Sequence, residues 1–256
     1  IKLFKMEERS YEYFVNRLKS ITHDYMNLND IWKTNYGSIY YVHLKSRSED
    51  PIKIFLSAGV HGDEPAGVEA VIRFLEADNS PLLDYFEFYI IPCLNPYGYA
   101  RNVRWNSDGL DINRTFENNL STEAVLIKTL LADKQFDVSV DFHEDWEYRG
   151  FYLFEISKNN SQLGKEIINK LVCKCEIKKE EMIDGFINNN GVIKLDCEEF
   201  GERVMALYLA NNHVQHSITL ETPTQWAFDK RVLTHLESLS IILEKYIKTR
   251  QEIISA

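Results

Sequence analysis

An α/β fold is predicted by three observations. Ile52 to Val60 is apolar almost throughout, the pattern of a strand covered on both faces. A stretch with helical spacing follows at once, with Pro65 suited to its first turn and Val68, Val71, Ile72 and Leu75 on one side. After a loop at Asn79-Ser80-Pro81, Phe86 to Ile91 is a second strand, which completes a βαβ unit. With 256 residues, 45% of them hydrophobic, the chain can bury a large core without staples, and one domain over 1–256 is expected.

The remaining elements follow in order. Glu8 to Ile21 mixes charged and apolar residues at helical spacing, with Tyr11, Phe14, Val15 and Leu18 together, and predicts a surface helix. Asn27 to Trp32 and Ser38 to Leu44 alternate like strands, joined at Asn35-Tyr36-Gly37, so 1–48 forms an N-terminal helix and hairpin. Downstream, Ser121 can cap a helix running to Leu131, and Phe136 to Phe142 and Phe151 to Ile156 are strands. Lys165 to Val172 and Asp229 to Lys248 are expected helices, 216 to 220 a strand, and Val204 to Leu209 a buried strand. The polar region from Glu176 to Glu202, with Asn188-Asn189-Asn190-Gly191, carries the weakest pattern.

Charge and cysteine usage exclude several functions. The 29 basic and 39 acidic residues give a net charge of −10, which argues against a nucleic-acid or anionic-membrane partner. No apolar run reaches the roughly eighteen residues of a transmembrane helix. Cys93, Cys173, Cys175 and Cys197 fit neither a zinc knuckle nor a redox CxxC, and free thiols in a reducing, cytoplasmic compartment are expected. The first residues carry no apolar core of signal-peptide length, although the missing initial Met leaves room for trimming.

The chemistry-bearing residues sit at predicted strand ends, where open α/β sheets bind ligands. His61-Gly62-Asp63-Glu64 leaves the strand at 52 to 60, and Gly62 permits a turn that brings His61 and Glu64 to one cation. A catalytic zinc takes three protein groups and keeps a position for water. His143, closing the strand at 136 to 142, is the natural third ligand. Glu221, closing 216 to 220, could take a proton from metal-bound water and pass it to a leaving nitrogen. Asp141 could orient a ligand imidazole, and Asn113-Arg114 lie in the long loop after 86 to 91.

In this order, the H-x-x-E, the distant Asn-Arg pair, the strand-ending His and the strand-ending Glu resemble the zinc carboxypeptidases of the M14 type. Asn95-Pro96-Tyr97-Gly98, Arg101-Asn102-Val103-Arg104-Trp105 and Gly109-Leu110-Asp111-Ile112-Asn113-Arg114 resemble the N-P-D-G…R…G-x-D-x-N-R run of small bacterial members, with Tyr97 departing from the family Asp. The likeness covers roughly residues 50 to 225. It implies a three-layer sandwich with a mixed, mostly parallel sheet of about eight strands between helices. It also implies one zinc ion on His61, Glu64 and His143, with Arg104 holding the oxyanion and Glu221 as base. Asn113 and Arg114 would anchor a substrate carboxylate, since the planar Arg fork grips a carboxylate by two parallel bonds. The implied activity is hydrolysis of a peptide or amide bond beside a free carboxylate. The short spacing from Glu64 to His143 resembles the desuccinylase and aspartoacylase branch, whose N-acyl amino-acid substrates are the alternative.

Plainer readings compete at several positions. Tyr208, the nearest tyrosine upstream of Glu221, is expected to pack in the core rather than cover a substrate. Asp111 and Arg114 could form a structural ion pair, and Arg101 a solvated charge. His213 and His216 are expected as edge-strand histidines, and Glu144-Asp145-Trp146-Glu147 as a solvated loop. Trp146 and Trp226 could wall a cleft or pack internally. A binding protein without turnover and a two-metal aminopeptidase are the other functional rivals; oligomeric state leaves no mark in the sequence.

Overall fold

The computed structural model describes residues 10–158, 161–196 and 203–255. Helix α1 (Tyr11–Ser20) precedes the hairpin β1 (Met26–Thr34) and β2 (Gly37–Leu44); then come β3 (Ile52–Ala58), α2 (Pro65–Glu76), β4 (Phe86–Ile91) and α3 (Pro96–Arg101). The second half holds α4 (Thr122–Leu131), β5 (Phe136–Asp145), β6 (Tyr152–Ser157) and α5 (Leu163–Leu171). The short strands β7 (Met182–Ile183), β8 (Phe186–Asn189) and β9 (Val192–Lys194) follow, then α6 (Met205–Asn212), β10 (Val214–Pro223) and α7 (Phe228–Ser255).

One sheet of ten strands runs in the order β1-β2-β4-β3-β5-β10-β6-β9-β8-β7. Its centre, β4-β3-β5-β10, is parallel; the β1-β2 hairpin joins β4 antiparallel on one flank, and on the other β6 joins β10 antiparallel and β9 in parallel, before the antiparallel β9-β8-β7. The apolar runs that predicted buried strands form this centre, because only strands covered on both faces can be apolar on both. On one face Leu18 of α1, Val71 and Leu75 of α2, Ile167 of α5 and Ile242 of α7 join the core. On the other, Ile127 and Leu131 of α4 pack with Leu207 and Leu209 of α6. The three-layer sandwich holds, and ten strands replace about eight because the weakly patterned stretch after Glu176 forms three short strands.

Local signals account for the element ends. Ser10 and Ser121 accept hydrogen bonds from Tyr13 N and Ala124 N, capping α1 and α4 at 3.3 Å and 3.1 Å. Pro65 opens α2, as its fixed φ allows. The predicted helix start at Glu8, and Cys197, lie outside the described residues; Cys93, Cys173 and Cys175 are thiols. Among the described residues no helix is long and apolar enough to cross a membrane.

Several expectations change. Val204 to Leu209 is not a strand: Met205–Asn212 is helix α6, whose short, apolar sequence had no clear period. Tyr208 is nonetheless buried, its ring tilted against that of Phe116 and its hydroxyl bonded to His213 Nε2 at 2.8 Å. His213 is the C-cap residue of α6 rather than a strand residue, and His216 is not at a sheet edge, since β10 lies between β5 and β6. Glu144 is no part of a solvated face but is buried, whereas Trp146 is 70% exposed. Trp226 is partly buried, with Lys230 Nζ 3.7 Å from its ring centre. Arg101 is exposed as expected, and its guanidinium lies over the rings of Tyr36 and Tyr97.

Candidate active site

The turn after β3, the last part of β5 and the last part of β10 bring three predicted residues to one point. His61, Glu64 and His143 are all buried, and one ligand atom from each lies within 4.8 Å of the others. His61 Nδ1 is 2.6 Å from Glu64 Oε1, His143 Nδ1 is 2.8 Å from Glu64 Oε2, and the two Nδ1 atoms are 3.2 Å apart. The other imidazole nitrogens point away to carboxylates: His61 Nε2 to Asp111 Oδ1 at 3.2 Å and His143 Nε2 to Asp141 Oδ2 at 2.7 Å. Ser57 Oγ donates to Asp141 Oδ1 at 2.8 Å. Each carboxylate fixes the Nε2–H tautomer, which leaves both Nδ1 lone pairs facing Glu64. Two imidazoles and a carboxylate, oriented in this way, are a donor set that fits a zinc-like cation.

Backbone packing puts His61 in place. Gly62 is required by contact rather than by conformation: a Cβ there would fall 1.9 Å from the Gly98 carbonyl carbon. Its φ is not in the left-handed region, so the expected reason for this glycine is replaced by a closer one. Asn95 is fully buried beneath this contact; its Oδ1 accepts from Gly98 N at 2.8 Å and its Nδ2 donates to the carbonyls of Arg104 and Trp105. The Asn of N-P-Y-G thereby ties the turn carrying His61 to the loop carrying Arg104.

Arg104 Nε donates to Asp111 Oδ2 at 2.9 Å, and its Nη1 lies 3.6 Å from Glu64 Oε1. Asp111 therefore pairs with Arg104 and His61 and not with Arg114, which is exposed. Asn113 and Arg114 lie in a 3₁₀ turn, Ile112–Arg114. Asn113 Oδ1 accepts from Met205 N at 3.0 Å, capping α6.

Glu221 pairs in register with His143 on one side and with Tyr152 on the other, so the three side chains share one face of the sheet. Both His143 and Glu221 lie inside the last turns of the pleat and do not close their strands, which run on to Asp145 and Pro223. Burial pushes the Glu221 carboxyl well above the usual carboxylate range; His143 opposes this, and Glu64, Asp145 and Asp141 add to it. Burial also disfavours the charged form of Glu64, yet His61 and His143 outweigh it and hold that carboxyl well below its ordinary value. Asp111 is lowered in the same way, with His61 and Arg104 overcoming its burial. Glu64, Asp111, Asp141 and Glu221 against Arg104 make a negative pocket, which favours a divalent cation.

The predicted residues His61, Glu64, His143, Glu221, Arg104 and Asp141 lie together here. Asp111 as the partner of His61, although the G-x-D-x-N-R run contains it, and Asn95 were not expected at the site. Glu144 had no motif to betray it.

The sheet and its helix layers are those of solved structures of metallopeptidase type, and His61, Glu64 and His143 form a candidate metal centre within that fold. Residues 50–186 match the family model of the succinylglutamate desuccinylase/aspartoacylase catalytic domain, and the chain belongs to that family. It is 32% identical over 103 residues to carboxypeptidase SOL1 of Arabidopsis thaliana, covering 33% of this chain and 21% of that protein. It is 28% identical over 150 residues to carboxypeptidase 2 of Trichophyton rubrum, covering 51% of this chain and 28% of that one. The chain thus spans less than a third of the length of either relative. Among solved structures, a Shewanella amazonensis SB2B protein named provisionally as a metallopeptidase superposes with a TM-score of 0.83 at 20% identity, over 93% of this chain and 94% of its own. A metallo-carboxypeptidase of Pseudomonas aeruginosa, bound to (2-guanidinoethylmercapto)succinic acid, superposes with a TM-score of 0.68 at 16% identity, over 94% and 68%. These likenesses establish the shared fold.

Proposed function

We propose that the protein is a zinc-dependent metallocarboxypeptidase, cleaving a peptide or amide bond next to a free carboxylate. The observation that carries this reading is the convergence of His61 Nδ1, His143 Nδ1 and the Glu64 carboxylate beside Glu221. One zinc ion held by those three groups would supply a Lewis acid that acidifies water and polarises the scissile carbonyl. Asp111 and Asp141 keep the two imidazoles turned toward that point. Glu221, ionised, takes the proton of the attacking water and returns it to the leaving nitrogen; its raised affinity for a proton suits it to hold one between the two steps. Arg104 donates to the developing oxyanion, with Asp111 holding its Nε side in place. Arg114 and the amide nitrogen of Asn113 would take the substrate carboxylate. A cytoplasmic location completes the reading.

A second reading, an N-acyl amino-acid amidohydrolase, is favoured by the family model over residues 50–186. Both use the same groups on a different acyl side. The deciding experiment is a substrate panel of peptides with free or amidated C-termini together with N-acyl amino acids, run before and after dialysis against a chelator. Hydrolysis that needs the free carboxylate, is lost on chelation and returns with zinc is the expected result. Hydrolysis untouched by the chelator, or indifferent to amidation, sinks the proposal.

A further inference from the structure

Helix α2 begins with an unmet need. Its N-cap residue is Glu64, whose side chain makes no capping hydrogen bond because the carboxylate faces His61 and His143. A helix start leaves several backbone N–H groups without intrahelical acceptors, and a buried start requires partners for them. Glu144 of β5 supplies one: its Oε2 accepts from Ala66 N at 2.9 Å. In return Glu144 N donates to Glu64 Oε2 at 3.1 Å. The exchange resembles a capping box, but it joins segments 80 residues apart in the chain.

The Glu144 carboxylate has no solvent exposure, and Arg231 of α7 pairs with its Oε1. A buried carboxylate is tolerated when it is paired and hydrogen-bonded, and here a guanidinium and the positive end of α2 both face it. Ala66 and Ala70 of α2 pack on Val232 beside Arg231, so α7 is seated against the same helix start. Successive residues of a strand point to opposite faces, and β5 therefore presents His143 on one side and Glu144 on the other.

We propose that Glu144 is a positioning residue for the metal site: it caps α2 in place of Glu64 and frees the Glu64 carboxylate to bind the ion. Arg231 neutralises the substitute cap. The inference rests on the metal reading of His61, Glu64 and His143, and extends it to a group that touches neither ion nor substrate.

The test measures zinc affinity by competition with a chromophoric chelator, on the full chain, with zinc itself as the probe. E144A is expected to weaken zinc binding about 10- to 100-fold, the usual effect of losing an outer partner. E144Q, which keeps an acceptor oxygen for Ala66 N without the charge, is expected to recover at least half of that loss on a logarithmic scale. R73M breaks the Arg73–Asp229 and Arg73–Glu69 pairs of the same helices away from the site, and should lower the melting temperature while leaving zinc affinity within about twofold. Zinc binding by wild type with E144A also within about twofold overturns this inference alone. Equal losses in E144A and E144Q overturn the capping role, since charge then accounts for both. No zinc binding by wild type overturns the metal reading and this inference with it. If E144A is unfolded by circular dichroism, E144D decides: its carboxyl is one methylene short of Ala66 N, and it must bind zinc more weakly than E144Q.

Discussion

At the carboxyl end of β5 and β10, His143 and Glu221 stand side by side with His61 and Glu64 across from them; farther back on β10, His216 meets Glu155 of β6. Both clusters are buried pairings of imidazole and carboxylate. In the second, His216 Nε2 is 3.0 Å from Glu155 Oε1, its Nδ1 is 3.4 Å from the Tyr246 hydroxyl, and Glu155 Oε1 also accepts from Gly164 N at 3.1 Å. Both ring nitrogens there point to different neighbours. In the first, each imidazole has one nitrogen fixed by a carboxylate and the other turned to a shared point. Convergence, not residue type, separates a ligand set from an internal hydrogen-bond cluster.

The comparison breaks most sharply at Glu221. E221Q is expected to lower kcat by about 10²- to 10⁴-fold, the range of a lost general base, while zinc content stays at the wild-type level. Because the Glu221 carboxyl is raised, its base form is lost as pH falls through a value above the usual carboxylate range. The acid limb of kcat/KM should therefore lie above that range in wild type and vanish from any residual activity of E221Q; a limb at an ordinary carboxylate pH would remove Glu221 from the role.

A smaller loss is expected at Arg104. R104M should cost about 10²- to 10³-fold in kcat, as one lost oxyanion donor does, with little change in KM. A change confined to KM would instead assign Arg104 to substrate binding.

The smallest effect belongs to the other cluster. E155L leaves His216 and Gly164 N without their acceptor and should cost about 1–3 kcal/mol of stability, read by denaturant unfolding. Zinc affinity and kcat should not move; if they did, the two clusters would be one coupled unit.

Much of this molecule was legible in the chain. The βαβ centre was visible because strands covered on both faces must be apolar throughout, and the cap Ser121 left the usual mark before a helix, whereas the cap Ser10 went unread. The candidate ligand residues His61, Glu64 and His143, which the structure brings together, were picked out by their order along the chain. Helix α6 was not, because six consecutive buried residues, Met205 to Ala210, show no helical stripe. Asp111, Asn95 and Glu144 were not assigned their work, since each acts on a residue remote in sequence: Asp111 on His61, Asn95 on the Val60 carbonyl before His61, and Glu144 on Ala66.

The sequence by itself determined which groups could bind a metal, move a proton or grip a carboxylate, because those capacities belong to side-chain chemistry and to the order of strand ends. Tertiary structure alone decided which of them converge. The parallel register that sets Glu221 beside His143, the back-to-back contact of Gly62 with Gly98, and the exchange between Glu64 and Glu144 are all set by pairing between distant segments. The physical reason is burial: once β5, β10 and α2 are packed together, each polar group at their meeting point must find a partner there, and that requirement fixes the site's geometry.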